Sequence, residues 1–134
     1  MSRDDLAATL ARHGVKPSAQ RLAVAEFVLF TDEHPSADQV FAAARSRVPT
    51  ISRATVYNTL NTLVRKGLLR QLALAGGKLA FDPHLQPHHH FVDESTGVIR
   101  DIPWEALDVR KVDALKGVKV REYQVIVRGT TRGR

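Results

Sequence analysis

The chain of 134 residues contains no cysteine. Disulfides, thiolate zinc clusters and thiol-based redox sensing are therefore excluded, and any redox chemistry must run through a metal, a histidine or a bound cofactor. Long hydrophobic runs are missing as well: no apolar stretch approaches the roughly 18–20 residues of a membrane span. The opening Met-Ser-Arg-Asp-Asp carries no signal-peptide core, so a cytoplasmic location with no membrane partner is expected. Internal repeats and low-complexity segments are also lacking.

What is present describes a folded, basic chain. A hydrophobic fraction of 43% suits a packed core, and the length allows one medium domain or two very small ones. A net charge of +6 and a pI of about 10.2 favour anionic partners, nucleic acid first. Charge alone would equally fit a merely soluble basic protein. The basic residues are spread along the chain, with a cluster in the closing Arg128-Gly-Thr-Thr-Arg-Gly-Arg134.

Leucine, alanine and charge recur at helical spacing from Arg3 to His13, and Gly14 stops them. Lys16-Pro17-Ser18 opens a second helix with an apolar stripe of Leu22, Val24, Ala25, Val28 and Leu29. Ser36 followed by Gln39 reads as a capping box that starts a third helix through Ala44. Ser52 caps a fourth, running to Lys66 with Gly67 as its stop. The pattern then switches: Leu68 to Leu74 and Lys78 to Phe81 flank Gly76-Gly77 as a hairpin. Helices closed by a hairpin describe a winged helix ending near Asp82. Beyond it, His90-Phe91-Val92 and Gly97-Val98-Ile99 read as strands around Glu94-Ser95-Thr96. A short helix is expected from Glu105 to about Leu115, and a long strand from Val118 to Val127. The fold class is α+β, an N-terminal winged helix-turn-helix (residues 1–82) followed by a small α/β unit (residues 83–134). The second unit is small enough to suggest dimerisation.

Two stretches carry chemistry. On the fourth helix Val56, Leu60 and Leu63 share one face, while Ala54, Tyr57, Asn58, Asn61 and Arg65 share the other. The polar face offers amides, a phenol and a guanidinium suited to base edges and phosphates, and Ala54 would allow close approach to a thymine methyl. An ordinary amphipathic helix with a solvated face is the plainer alternative; the hairpin behind it and the basic balance favour DNA. The second stretch is His88-His89-His90. Side chains alternate along a strand, so His88 and His90 project together and His89 points away. With Asp82, Asp101 and His34 they assemble three imidazoles and two carboxylates, a thiol-free set that suits Fe(II) or Mn(II) and also binds Zn(II) in vitro. An accidental polar run is the alternative. His13 and His84 read as a helix end and a loop.

Lys16-Pro17-Ser18-Ala19-Gln20-Arg21, His34-Pro35-Ser36-Ala37, Ser52-Arg53-Ala54-Thr55-Val56-Tyr57-Asn58-Thr59-Leu60, Gly67-Leu68-Leu69 and His88-His89-His90-Phe91-Val92 with Gly97 and Asp101 together resemble the Fur family of metal-responsive transcription regulators over nearly the whole chain. The resemblance implies a winged-helix DNA-binding domain and an α/β dimerisation domain, with the regulatory metal at the hinge on His34, Asp82, His88, His90 and Asp101. It implies a homodimeric repressor rather than an enzyme, with Lys16, Arg21, Ser52, Arg53, Ala54, Thr55, Tyr57 and Asn58 on a palindromic double-stranded DNA operator. Asn58 and Asp101 are similar to the peroxide-sensing PerR branch, since iron-sensing members usually carry arginine and glutamate there. That branch implies Fe(II)-catalysed oxidation of His34 or His88. Most members also hold a structural zinc on two Cys-x-x-Cys pairs; those positions here are Asp93, Thr96, Thr131 and Arg134, so no four-cysteine zinc site is expected. The haem-responsive iron regulators called Irr also lack these cysteines and carry a similar His-His-His-Phe run and Leu-Leu-Arg-Gln segment, which keeps a haem or iron-status signal, or a Mn(II)-responsive regulator of the same family, as the alternative.

Overall fold

The computed structural model describes residues 2–132; Arg134, one of the four positions that take the place of family cysteines, lies outside the described residues. The chain divides into two compact units, Met1–Leu85 and Gln86–Arg134.

In the first unit a 3-10 turn at Arg3–Asp5 leads into α1 (Leu6–Arg12), followed by α2 (Ala19–Val28), α3 (Ala37–Arg47) and α4 (Arg53–Arg65). Each of the three longer helices starts where a serine hydroxyl accepts a backbone N–H of the first turn: Ser18 from Arg21, Ser36 from Gln39 and Ser52 from Thr55. The Ser36 box is complete, because Gln39 Oε1 also accepts the Ser36 N–H at 2.8 Å. α3 runs three residues past the expected end at Ala44, since nothing before Val48 interrupts it. Just past the end of α4, Gly67 at a φ of +80° lets Leu68 N–H reach back to Leu63 C=O at 3.0 Å. Val56, Leu60 and Leu63 are buried with Leu10, Val24, Val28 and Val40 in one apolar core, as the helical spacing of the sequence requires. β1 (Arg70–Ala73) and β2 (Leu79–Asp82) form the antiparallel hairpin. β2 is tied to the start of α3 by Phe81 N–H donating to Pro35 C=O at 2.9 Å.

The second unit is a three-stranded sheet in the order β4-β3-β5, with β3 (His89–Asp93) antiparallel to β4 (Ile99–Ile102) and parallel to β5 (Ile126–Gly129). Three expectations are corrected here. The second strand starts at Ile99 instead of Gly97, because Gly97 sits at φ +77° in the turn and Val98 C=O accepts the Asp93 N–H. The helix expected over residues 105–115 is two 3-10 turns, Trp104–Ala106 and Val112–Ala114. Neither has a side-chain cap, Leu107 is extended, and Lys111 is left-handed at φ 67°, so no helical run can propagate. The long strand expected from Val118 to Val127 is confined to Ile126–Gly129, the stretch that runs alongside β3. Val118 and Val120, at its expected start, are exposed.

Among the described residues no apolar side chain of the second unit is fully buried; its buried residues are His88, His89, His90 and Asp93. The β3–β4 turn is closed by polar bonds. Asp93 carboxylate accepts both Ser95 N–H (2.9 Å) and Ser95 Oγ–H (2.6 Å), and Asp93 C=O accepts Gly97 N–H at 2.7 Å. The Ser95 bonds hold the Asp93 carboxyl below the usual carboxylate range. A carboxyl depressed in the folded state stabilises above its unfolded pKa of about 3.9 and loses that contribution as the pH falls through the folded value. Asp93→Ala is thus expected to be less stable than wild type at pH 7 in urea unfolding, with the gap narrowing below about pH 4; a gap independent of pH would rule out the ionised turn.

Candidate functional site

The three consecutive histidines take opposite tautomers. His88 Nδ1 lies 2.6 Å from the Gln86 carbonyl, which can only accept, so Nδ1 carries the proton. His90 Nδ1 lies 2.9 Å from Gln124 Oε1, again an acceptor. His89 Nδ1 instead receives the Val125 backbone N–H at 2.9 Å, so its neutral ring carries the proton on Nε2. His88 and His90 thereby keep lone pairs on Nε2. Both Nε2 atoms face Asp101, at 3.4 and 3.7 Å from Oδ1. β-sheet register causes this convergence: Asp101 is the cross-strand partner of His90. The His88 and His90 rings meet edge to face with centroids 4.5 Å apart.

His89 points the other way, as strand alternation demands, but it is not idle. The residue is 1% exposed, and its ring stacks on Trp104 at 4.5 Å and 17°. Tyr123 packs on Trp104 at 4.9 Å. Burial, and then the charges that His90 and His88 would carry, push the His89 pKa down. This ring is a neutral structural element that tethers Val125, and so the approach to β5, to β3.

In the first unit His34 and Asp82 form a second pair. His34 Nε2 is 3.1 Å from Asp82 Oδ2, and both side chains are buried. The pair exists because Pro35 C=O and Ala80 join the start of α3 to β2, which places the residue before Pro35 beside the strand end. The other Asp82 oxygen accepts His84 N–H at 2.9 Å. Two ligand atoms each about 2.1 Å from one ion lie about 3.0–3.4 Å apart. The 3.1 and 3.4 Å separations match that, and 3.7 Å needs a shift of a few tenths of an ångström. Imidazole nitrogen with carboxylate oxygen is a donor set for Fe(II), Mn(II) or Zn(II), so each unit contributes residues that fit a divalent metal.

The exposed face of α4 presents Ala54, Tyr57, Asn58, Asn61 and Arg65 to solvent. Ser52 and Thr55 serve the helix cap, with Ser52 Oγ–H donating to Thr55 Oγ1 at 2.9 Å. Arg53 donates to Asp38 of α3 at 2.6 Å and lies over the Phe41 ring at 4.5 Å. Tyr57 O–H donates to the same Asp38 oxygen at 3.2 Å. Lys16 is exposed, and Arg21 donates to its carbonyl at 3.2 Å, bracing the entry to α2. Three contributors escape a reading of the residues in order: Asp38, Gln124 and the Gln86 carbonyl. Asp38 reads as a helix-start acid, and Gln124 lies 34 residues from His90, so no local pattern signals either.

The ferric uptake regulator family matches this chain over residues 12–128. The peroxide operon regulator of Bacillus subtilis is 32% identical over 123 residues, covering 90% of this chain and 85% of that protein. Among solved structures, the ferric uptake regulator of Vibrio cholerae superposes with a TM-score of 0.78 at 25% identity, covering 95% of this chain and all of that one. The peroxide stress regulator of Campylobacter jejuni superposes with a TM-score of 0.66 at 26% identity, covering 98% and 96%.

His89→Ala removes the Trp104 stack and leaves the Val125 N–H without its acceptor. Urea unfolding should show a loss of about 2–4 kcal/mol. His89→Phe, which keeps a ring but no acceptor, should recover part of it. Unchanged stability in both variants would show that the middle histidine does not hold the sheet.

Proposed function

The chain belongs to the ferric uptake regulator family, and on that premise we propose that it is a homodimeric, metal-dependent transcriptional repressor of the peroxide-sensing type. The observation that carries the reading is the pair of Nε2 lone pairs, on His88 and His90, that converge on Asp101. Fe(II) or Mn(II) is held by His34 and Asp82 from the first unit and by His88, His90 and Asp101 from the second, with Zn(II) able to substitute in vitro. One ion that takes donors from both units favours a single arrangement of the two, a population shift toward the DNA-competent form. Because ligation needs deprotonated imidazole, protons compete with the metal, and affinity rises with pH.

On DNA the exposed face of α4 enters the major groove of each half of a palindromic operator. Ala54, Tyr57 and Asn58 address base edges, and Lys16, Arg21 and Arg53 serve the phosphates, with Ser52 and Thr55 at the helix start. Phosphate contacts make the affinity fall with salt. The exposed Val98, Leu115, Val118, Val120 and Val127 of the second unit support homodimerisation. No helix among the described residues is long and apolar enough to cross a membrane.

Peroxide as the signal is supported by Asp101 and Asn58 and by the likeness to the Bacillus subtilis regulator. Bound Fe(II) would activate peroxide, and the His34 or His88 ring would be the net reductant: one peroxide oxygen would replace a ring C–H hydrogen and the other would leave as water. Mn(II), harder to oxidise, would support DNA binding without that outcome. The haem-responsive reading draws on a different observation: positions Asp93 and Thr96 form a hydrogen-bonded turn in place of a cysteine zinc site.

Fe(II)-loaded protein treated with dilute peroxide is expected to gain one oxygen on the His34 or His88 peptide by mass spectrometry, and Mn(II)-loaded protein none. Unmodified histidines, together with a haem-dependent visible spectrum, would move the assignment to the haem-responsive reading. Separately, His90→Ala should bind operator DNA equally weakly with and without Mn(II), and Tyr57→Ala or Asn58→Ala should narrow the gap between operator and random DNA by about 1–3 kcal/mol. Operator binding by His90→Ala that still responds to Mn(II) would contradict the proposed ligand set.

A further inference from the structure

The segment entering β5 makes three hydrogen bonds to the histidine run. Val125 N–H donates to His89 Nδ1 at 2.9 Å, His90 N–H donates to Val125 C=O at 3.1 Å, and His90 Nδ1–H donates to Gln124 Oε1 at 2.9 Å. The first two bonds dock the backbone of the segment. The third acts on a ring whose other nitrogen faces Asp101. A neutral imidazole has one N–H and one lone pair, so an acceptor at Nδ1 decides that Nε2 keeps the lone pair. For His88 that acceptor is a carbonyl two residues away, present whenever the local loop is formed. For His90 the acceptor comes from 34 residues further along, and it is in place only while the segment before β5 is docked on β3.

We infer that Gln124 is a positioning residue for His90, and that it couples metal affinity at His90 to the docking of β5 on β3. The coupling rests on the metal-sensor reading given above; the tautomer assignment does not. Ligation at Nε2 withdraws electron density from the ring, which makes Nδ1–H a stronger donor to Gln124. By thermodynamic linkage the effect is mutual: metal tightens the strand, and the docked strand tightens metal. Gln124 is half-buried, and its amide oxygen meets His90 at Nδ1, not at the nitrogen that faces Asp101, so this bond acts through the His90 ring. A side chain that merely fills space in the sheet would be replaced by a methionine of similar shape with little change at the His90 ring.

The test uses the full chain and Mn(II) alone. In metal-free wild type, nitrogen NMR of the His90 ring should report the Nδ1–H form. Gln124→Met, close in shape but without the acceptor, should give a mixture of tautomers and weaken Mn(II) binding about 10- to 100-fold, measured by electron paramagnetic resonance titration. Gln124→Glu keeps an acceptor and should bind at least as tightly as wild type. Hydrogen exchange at Ile126–Gly129 should slow on adding Mn(II) to wild type and stay unchanged in Gln124→Met. Wild-type Mn(II) affinity and ring signals in Gln124→Met would overturn the role of Gln124. A wild-type chain that shows the Nδ1–H form yet takes up no Mn(II) would overturn the metal-sensor reading and the coupling with it. It would leave the positioning of the ring standing.

Discussion

Side chains on a β-strand alternate between its two faces, and three histidines in a row must therefore serve two purposes. The outer two turn toward Asp101 and hold their protons on Nδ1; the middle one turns to Trp104 and holds its proton on Nε2. Much of the second unit follows from that division. The His89 ring and the His90 backbone and side chain all bind the Gln124–Val125 segment, so the run whose outer rings face Asp101 is also the run on which β5 docks. Pairing with β4 then sets Asp101 opposite His90. A one-residue slip of register would send every side chain to the wrong face.

The two units hold themselves together by different physics. The first has a continuous apolar core built from all four helices and the hairpin, and its stability comes from removing that surface from water. The second buries histidines and an aspartate instead. Buried polar groups stabilise only when their partners are in place, and here they are: carbonyl, amide and backbone N–H for the rings, and Ser95 for Asp93. This dense bonding around the Asp93–Thr96 turn stands where the family resemblance would put half of a cysteine zinc site. A small sheet with so little apolar burial depends on its hydrogen bonds, and on whatever covers Val118 and its exposed neighbours.

On the fourth helix, two of the residues expected to meet DNA, Arg53 and Tyr57, are already engaged with α3. Asp38 accepts from both Arg53 and Tyr57, and Phe41 lies under the Arg53 guanidinium. These contacts are exposed and individually weak. They nevertheless restrict long side chains to a few orientations, which lowers the entropy that ordering them on a partner would cost.

The order of residues by itself determined the helices, their serine caps, the hairpin and the apolar face of α4. Each of these depends on neighbours three or four positions apart or on a turn of two residues. It also determined that His88 and His90 share a face, because alternation is a local property of a strand. The resemblance carried the ligand set further than spacing could. Tertiary structure decided what local pattern cannot contain. It confined the last strand to Ile126–Gly129, since a strand extends only as far as it has a partner, and it dissolved the helix expected before it, where Lys111 adopts a left-handed backbone. It gave His89 a structural task, and it brought Gln124 to His90 and Asp38 to Tyr57. Those contacts join residues 34 and 19 positions apart. A hydrogen bond between distant segments is set by how the sheet and the helices pack, and that packing is a property of the whole fold.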